Sequence, residues 1–84
     1  MKNEELLQRI TSNPDIFNGK PVIRGMRISV EMVLDLLSQG ETESRLLEDY
    51  PDLDPEDILA CLAYAKAVMA DEEIQSLRIE SAGG

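Results

Sequence analysis

NPDIFNGKPVIRGMRISV, residues 13–30, is the stretch on which the fold of this 84-residue chain turns. It has no helical period. It holds two of the five glycines, two of the four prolines and the only phenylalanine. Val22 and Ile23 lie before Arg24-Gly25, and Ile28 and Val30 lie after it. Two short β-rich runs around a glycine-bearing turn predict a β-hairpin. A lone hairpin is not stable in water, so this one must pack on the helices around it or on a second copy.

Upstream, Asn3 is placed to cap a short first helix, with Leu6, Leu7 and Ile10 on one face and Glu4 and Glu5 at its positive end. Asn13-Pro14-Asp15 stops that helix. Downstream, Ser29 is the natural N-cap of a second helix, Val30 to about Ser38, with Val30, Val33, Leu34 and Leu37 inward. Gly40 stands where a left-handed residue ends it. Thr42 caps a third helix, Glu43 to about Tyr50, burying Leu46, Leu47 and Tyr50, and Pro51 closes it. Asp54, with Pro55 at the first helical position and Glu56 and Asp57 in the first turn, starts the last helix. It runs at least to Met69. Ile58, Leu62, Ala65 and Met69 form one apolar stripe, with Leu59 and Val68 beside it. Ala60, Ala63 and Ala67 form a smooth opposite side. Beyond it an acidic tail, residues 71–84, is expected to be loosely ordered. The whole reads as one domain, mainly α, with a helix-turn-helix order of helices preceded by a short helix and a hairpin.

A domain this small buries only roughly 60–65% of its unfolded surface, and such chains are commonly reinforced by disulfides, metal or association. One cysteine and no histidine leave association, which predicts a homodimer. The N-terminus MKNEELL lacks the apolar core of a signal peptide, and no apolar run approaches a membrane span. A cytoplasmic protein without membrane attachment is expected.

The net charge of −9 is unevenly spread. Residues 1–30 carry five basic and three acidic side chains, whereas residues 31–84 carry three basic and fourteen acidic. An acidic body disfavours non-specific nucleic-acid binding and favours solubility or a basic partner. Catalysis is hard to build without histidine, and no enzyme, cofactor or metal site is expected. Cys61, between Ala60 and Leu62, reads as a buried apolar residue, because a reactive thiolate needs an open, electropositive setting. The pairs Glu48/Asp49, Glu56/Asp57 and Glu72/Glu73 read as caps or a solvated face, since adjacent acids on a helix diverge. Asp52 and Asp54 offer too few oxygens for calcium.

A helix-turn-helix unit would send the first turn of the Pro55 helix into the major groove. That turn displays Glu56 and Asp57 with Asp54 before them, which opposes phosphate. Lys20, Arg24 and Arg27 are the better nucleic-acid candidates, because two hairpins in a dimer would present six positive charges together. The alternative is that the arginines satisfy backbone carbonyls or pair with the chain's own excess carboxylates.

The run NPDIFNGKPVIRGMRISVEMVLDLLSQG resembles the domain-of-unknown-function family 433. So do the Leu-Leu-Glu-Asp-Tyr-Pro run and Glu-Asp-Ile-Leu-Ala-Cys-Leu-Ala-Tyr-Ala. Together these cover roughly Ile10 to Ala67 and carry the pattern Gly19-x-Pro21…Gly25-x-Arg27-Ile28 with Tyr50-Pro51. The family usually has Thr where this chain has Met26. The resemblance implies a homeodomain-like helix-turn-helix fold preceded by β-structure. It also implies an antitoxin encoded beside a PIN-like nuclease toxin, with no agreed catalytic residues. The expected function is therefore neutralisation of such a nuclease, with binding to its own operator DNA as a further expectation. A stand-alone DNA-binding regulator and a plain dimerisation module are the alternatives. A nuclease must bind RNA phosphate and a divalent metal, so it presents a basic cleft around carboxylates. Asp71, Glu72 and Glu73, with Ile74, Leu77 and Arg78 as apolar anchors and one cation, are the candidate partner-binding residues. The alternative for this tail is that it merely completes the helix.

Overall fold

Four helices and one short antiparallel sheet make up residues 3–71, the part of the chain that the computed structural model describes. In chain order they are α1 (Asn3–Leu7), β1 (Ile10–Thr11), β2 (Val22–Ile23), α2 (Val30–Ser38), α3 (Glu43–Asp49) and α4 (Pro55–Asp71). Local chemistry sets the ends of α2. The Ser29 backbone is extended, and its hydroxyl accepts the Met32 N–H at 3.0 Å. At the other end Gly40 takes φ +95, so that its N–H reaches the Leu37 carbonyl at 3.0 Å and the Glu41 N–H reaches Leu36 at 3.1 Å. That pair of bonds is a Schellman closure, which occupies carbonyls the helix would otherwise leave open. Thr42 repeats the N-cap for α3 by accepting the Arg45 N–H at 3.1 Å.

The predicted hairpin is present only in part. The Met26 N–H closes a tight turn onto the Ile23 carbonyl at 3.0 Å, with Gly25 at the φ +76 such a turn demands. The Ile23 N–H then bonds Ile28, and Val22 bridges Ser29. The run 28–30 does not become a strand, because Ser29 caps α2 and Val30 already belongs to it. The ladder partner of β2 is instead β1, with Ile10 opposite Ile23 and Thr11 opposite Val22. Both edges of β2 are therefore paired, and its two residues are buried. The predicted placement of Ile10 on the first helix is overturned: α1 stops at Leu7, and it contains Asn3 instead of being capped by it. Leu6, Leu7 and Ile10 have helical spacing, but the β-branched pair Ile10-Thr11 finds an open strand edge.

The main core joins Ile23, Val30, Val33, Leu46, Leu53, Ile58 and Cys61. Leu53, in the link between α3 and α4, plugs it from below. A second cluster packs Leu6 on Ala60 and Ala63, with Leu7 and Ile10 beside it. The apolar stripe of α4 is only partly covered. Ile58 is buried in the main core, but Leu62 and Met69 of the same stripe are 46% and 55% exposed, while Ala60 and Ala63 of the smooth side are buried. Leu59, beside that stripe, is 46% exposed. A helix apolar around most of its circumference does not specify which face turns inward. Here α1 and β1 lie directly on α4, and small side chains permit that approach. No helix among the described residues is long and apolar enough to cross a membrane.

Candidate functional site

Lys20, Arg24 and Arg27 are not brought together as one cationic cluster. Lys20 precedes β2 and Arg24 follows it, so they stand roughly 13 Å apart along extended chain. The Lys20 ammonium lies 2.8 Å from the Glu31 carboxylate on the first turn of α2. That hydrogen bond, helped by the charge behind it, holds the Glu31 carboxyl below its ordinary range. Lys20 is thus occupied by the chain's own acid. Arg24 and Arg27 sit on the exposed turn after β2 and make no ion pair among the described residues.

Arg24 borders a cleft of about 190 Å³ whose other walls are Arg9, Ile23, Met26, Asp54 and Asp57. At its base is an ion pair that sequence reasoning missed. Arg9 Nη1 donates to Asp57 Oδ1 at 3.0 Å and lies 3.7 Å from Asp54 Oδ2. The second Asp57 oxygen accepts the Asp54 N–H at 2.9 Å. Asp57 therefore works in two directions: it closes the start of α4 as the third residue of a capping box, and it ties α4 to the segment between α1 and β1. The hydrogen bond to Asp57 raises the Arg9 pKa above an already high ordinary value, so Arg9 is cationic throughout the working range. Only the excess of acids at the α4 start hinted at such a partner.

Cys61 is wholly buried in the core, and burial, followed by the charge of Asp57, pushes its thiol up to about 12. It is a packing residue, protonated at neutral pH. No group of three or more cysteine, aspartate or glutamate side chains among the described residues is placed to hold a metal ion.

Helix α2 and the second half of α4 leave an open apolar groove of about 570 Å³. Pro21, Val30 and Leu34 line one wall, and Tyr64, Ala65, Val68 and Met69 line the other. Glu31, Asp35 and Ser38 complete the lining. The groove runs into the exposed Leu62 and Met69 of α4, so apolar surface continues beyond its lip. Phe17 is another exposed large apolar side chain, at 48%, held at φ +50 on the loop before β2. Of the partner-binding candidates, Asp71 closes α4, whereas Glu72, Glu73, Ile74, Leu77 and Arg78 lie outside the described residues.

Residues 10–65, from β1 through the middle of α4, match the family described as "Protein of unknown function (DUF433)". The "Uncharacterized protein y4eO" of Sinorhizobium fredii is 43% identical over 58 residues, which span 69% of this chain and 26% of that protein. A crystal structure of a DUF433 member protein from Anabaena variabilis is similar at a TM-score of 0.69 and 31% identity, over 76% of this chain and 63% of that one. The chain thus spans about a quarter of the curated relative's length and under two thirds of the solved one. The match takes in the β1–β2 ribbon, α2, α3 and the Arg24–Arg27 turn, and on it the chain belongs to the DUF433 family.

Proposed function

We propose that this chain is a non-enzymatic binding protein of the antitoxin type, which neutralises a PIN-like nuclease by docking against its basic surface. The observation that carries this reading is the α2–α4 side of the molecule. An apolar groove there is bordered by the carboxylates of Glu31 and Asp35 and continues into exposed Leu62 and Met69. Lys20 already pairs with Glu31, but Asp35 meets no cation among the described residues, and apolar surface with such a carboxylate at its rim suits a partner of opposite sign. The chain acts as a homodimer in this reading, because a core this small gains from association.

The test is co-expression with the product of the adjacent gene. A stable complex and protection from that product's toxicity are expected, and a failure of the two proteins to copurify rejects the reading. Truncation after Ala70 then locates the inhibitory element. Loss of copurification assigns it to residues 71–84, and retention assigns it to the folded body.

One observation favours a second reading, operator binding. Arg24 and Arg27 remain exposed on a turn, free of ion pairs among the described residues. In a homeodomain-like arrangement of α2, α3 and α4 the reading helix would be α4. Its first turn, however, carries Asp54, Glu56 and Asp57, which repel phosphate. Contacts to DNA would come from the arginine turn. Arg24→Ala with Arg27→Ala should abolish retardation of the upstream promoter fragment, while Lys66→Ala changes little. The opposite ranking, or no retardation by the wild type at low salt, excludes this activity.

A further inference from the structure

We infer that the groove between α2 and α4 is a docking site for a cationic amphipathic helix supplied by another polypeptide. This rests on the partner-binding reading above but does not require the partner to be a nuclease. The shape argues for a helix. The groove lies between two helices, and one wall follows α2, whose nine residues span roughly 14 Å. Two to three turns of a third helix would place apolar residues at helical spacing onto Val30, Leu34, Val68 and Met69, in the manner of helix-in-groove recognition.

Charge argues for the identity of the occupant. Two carboxylates and no basic side chain line the groove. Glu31 is shared with Lys20 outside it, but Asp35 meets only the Gln39 amide, at 2.8 Å. Lys66, the one cation of α4, lies outside the groove lining, roughly 100° or more from Tyr64, Ala65 and Val68 around the helix and about 60° from Met69. A helix of a second copy would bring acid to acid: α1 and α2 contain no basic residue, the single arginine of α3, Arg45, is spent on Asp49 at 3.4 Å, and α4 sets one lysine against Glu56, Asp57 and Asp71. Residues 72–84 carry three glutamates against one arginine, so the chain's own tail is equally unsuited. A foreign segment with leucine-like anchors and lysines or arginines on its flanks satisfies both wall and rim.

The experiment titrates the full-length isotope-labelled protein with three synthetic helical peptides of about sixteen residues, roughly four turns. The first has a leucine seam flanked by lysines. The second replaces those lysines with glutamate, and the third replaces the leucines with serine while keeping the lysines. The first should shift the amides of residues 30–38 and 64–69 and bind at least roughly tenfold more tightly than either of the others. Asp35→Lys and Met69→Glu change exposed residues, so both variants should fold, and each should weaken the first peptide by roughly tenfold. Binding of the serine peptide as tightly as the leucine one would mean charge alone is read, and the inference falls. It also falls if the shifts map elsewhere, or if sedimentation shows the groove already closed by a second copy or by residues 72–84. If the two variants still copurify with the adjacent gene's product, the groove is not its docking site although the antitoxin reading stands. If the first peptide binds as described and no such complex exists, the groove stands and the nuclease reading fails.

Discussion

Helices α2 and α4 are both apolar, both well capped at their starts, and they bury opposite kinds of side chain. Helix α2 turns β-branched Val30 and Val33 into the core and leaves Glu31 and Asp35 to solvent. Helix α4 buries Asp57, Ile58, Ala60, Cys61 and Ala63, and leaves Leu59, Leu62 and Met69 half exposed. The difference lies in the neighbours. One side of α2 meets the core and the other meets water, so the contrast between apolar and charged side chains sorts its faces. Helix α4 is packed by α1, β1, α2 and α3. Closeness of approach therefore decides which face turns inward, and small side chains win the closest contact.

The comparison is most severely tested at the start of α4. Asp57→Ala strands the Arg9 guanidinium and frees the Asp54 N–H in one step. Asp57 is itself buried and accepts from both Arg9 and the Asp54 N–H, so its loss should cost about 2–3 kcal/mol in chemical denaturation. Asp57→Asn keeps the acceptor for Asp54 and should recover part of that loss. An unchanged denaturation midpoint for Asp57→Ala would mean that the Arg9 contact contributes nothing.

The buried alanine side of α4 gives the next effect. Ala60→Leu forces a branched side chain into the wholly buried contact with Leu6 and should destabilise by about 2 kcal/mol through overpacking. Leu62→Ser, two residues further on, should change stability by less than about 0.5 kcal/mol, because it alters a half-exposed position. If the leucine replacement were harmless and the serine one severe, the stripe with Leu62 and not the alanine side would carry the packing.

Ser29→Ala removes the hydroxyl that receives the Met32 N–H and should cost about 1 kcal/mol. A smaller loss would show that tertiary contacts at Val30 hold the end of α2 without its cap. The smallest effect belongs to Glu31. Its carboxyl is depressed in the folded protein from an ordinary value of 4.5. Its contribution is therefore present above that value and disappears as pH falls through the lower, folded one. Denaturation of the wild type and of Lys20→Met should differ slightly at neutral pH and low salt. The two curves should converge in acid, and they should also converge in high salt because the pair is exposed.

Among the functional residues, the exposed arginines could be found in the sequence because surface charge needs no partner to be recognised. Their grouping with Lys20 could not be judged there, since Lys20 and Glu31 are eleven positions apart and their contact depends on the turn between them. The groove was hidden for a related reason. Met69 shares an apolar stripe with buried Ile58, and Val68 lies beside it, so only the packing of the other helices shows that this end stays open.

What the sequence by itself determined is where α2 and α3 begin and end and where α4 begins. Ser29, Gly40, Thr42 and Pro55 act on backbone groups within four residues of themselves, so their effect needs no knowledge of the rest of the chain. Only the tertiary structure decided which strand β2 pairs with, which face of α4 is buried, and which acid Arg9 meets 48 residues away. Those choices depend on competing long-range contacts of similar strength. They are settled only when α1 and β1 fold back onto α4, bringing small side chains and one buried ion pair together.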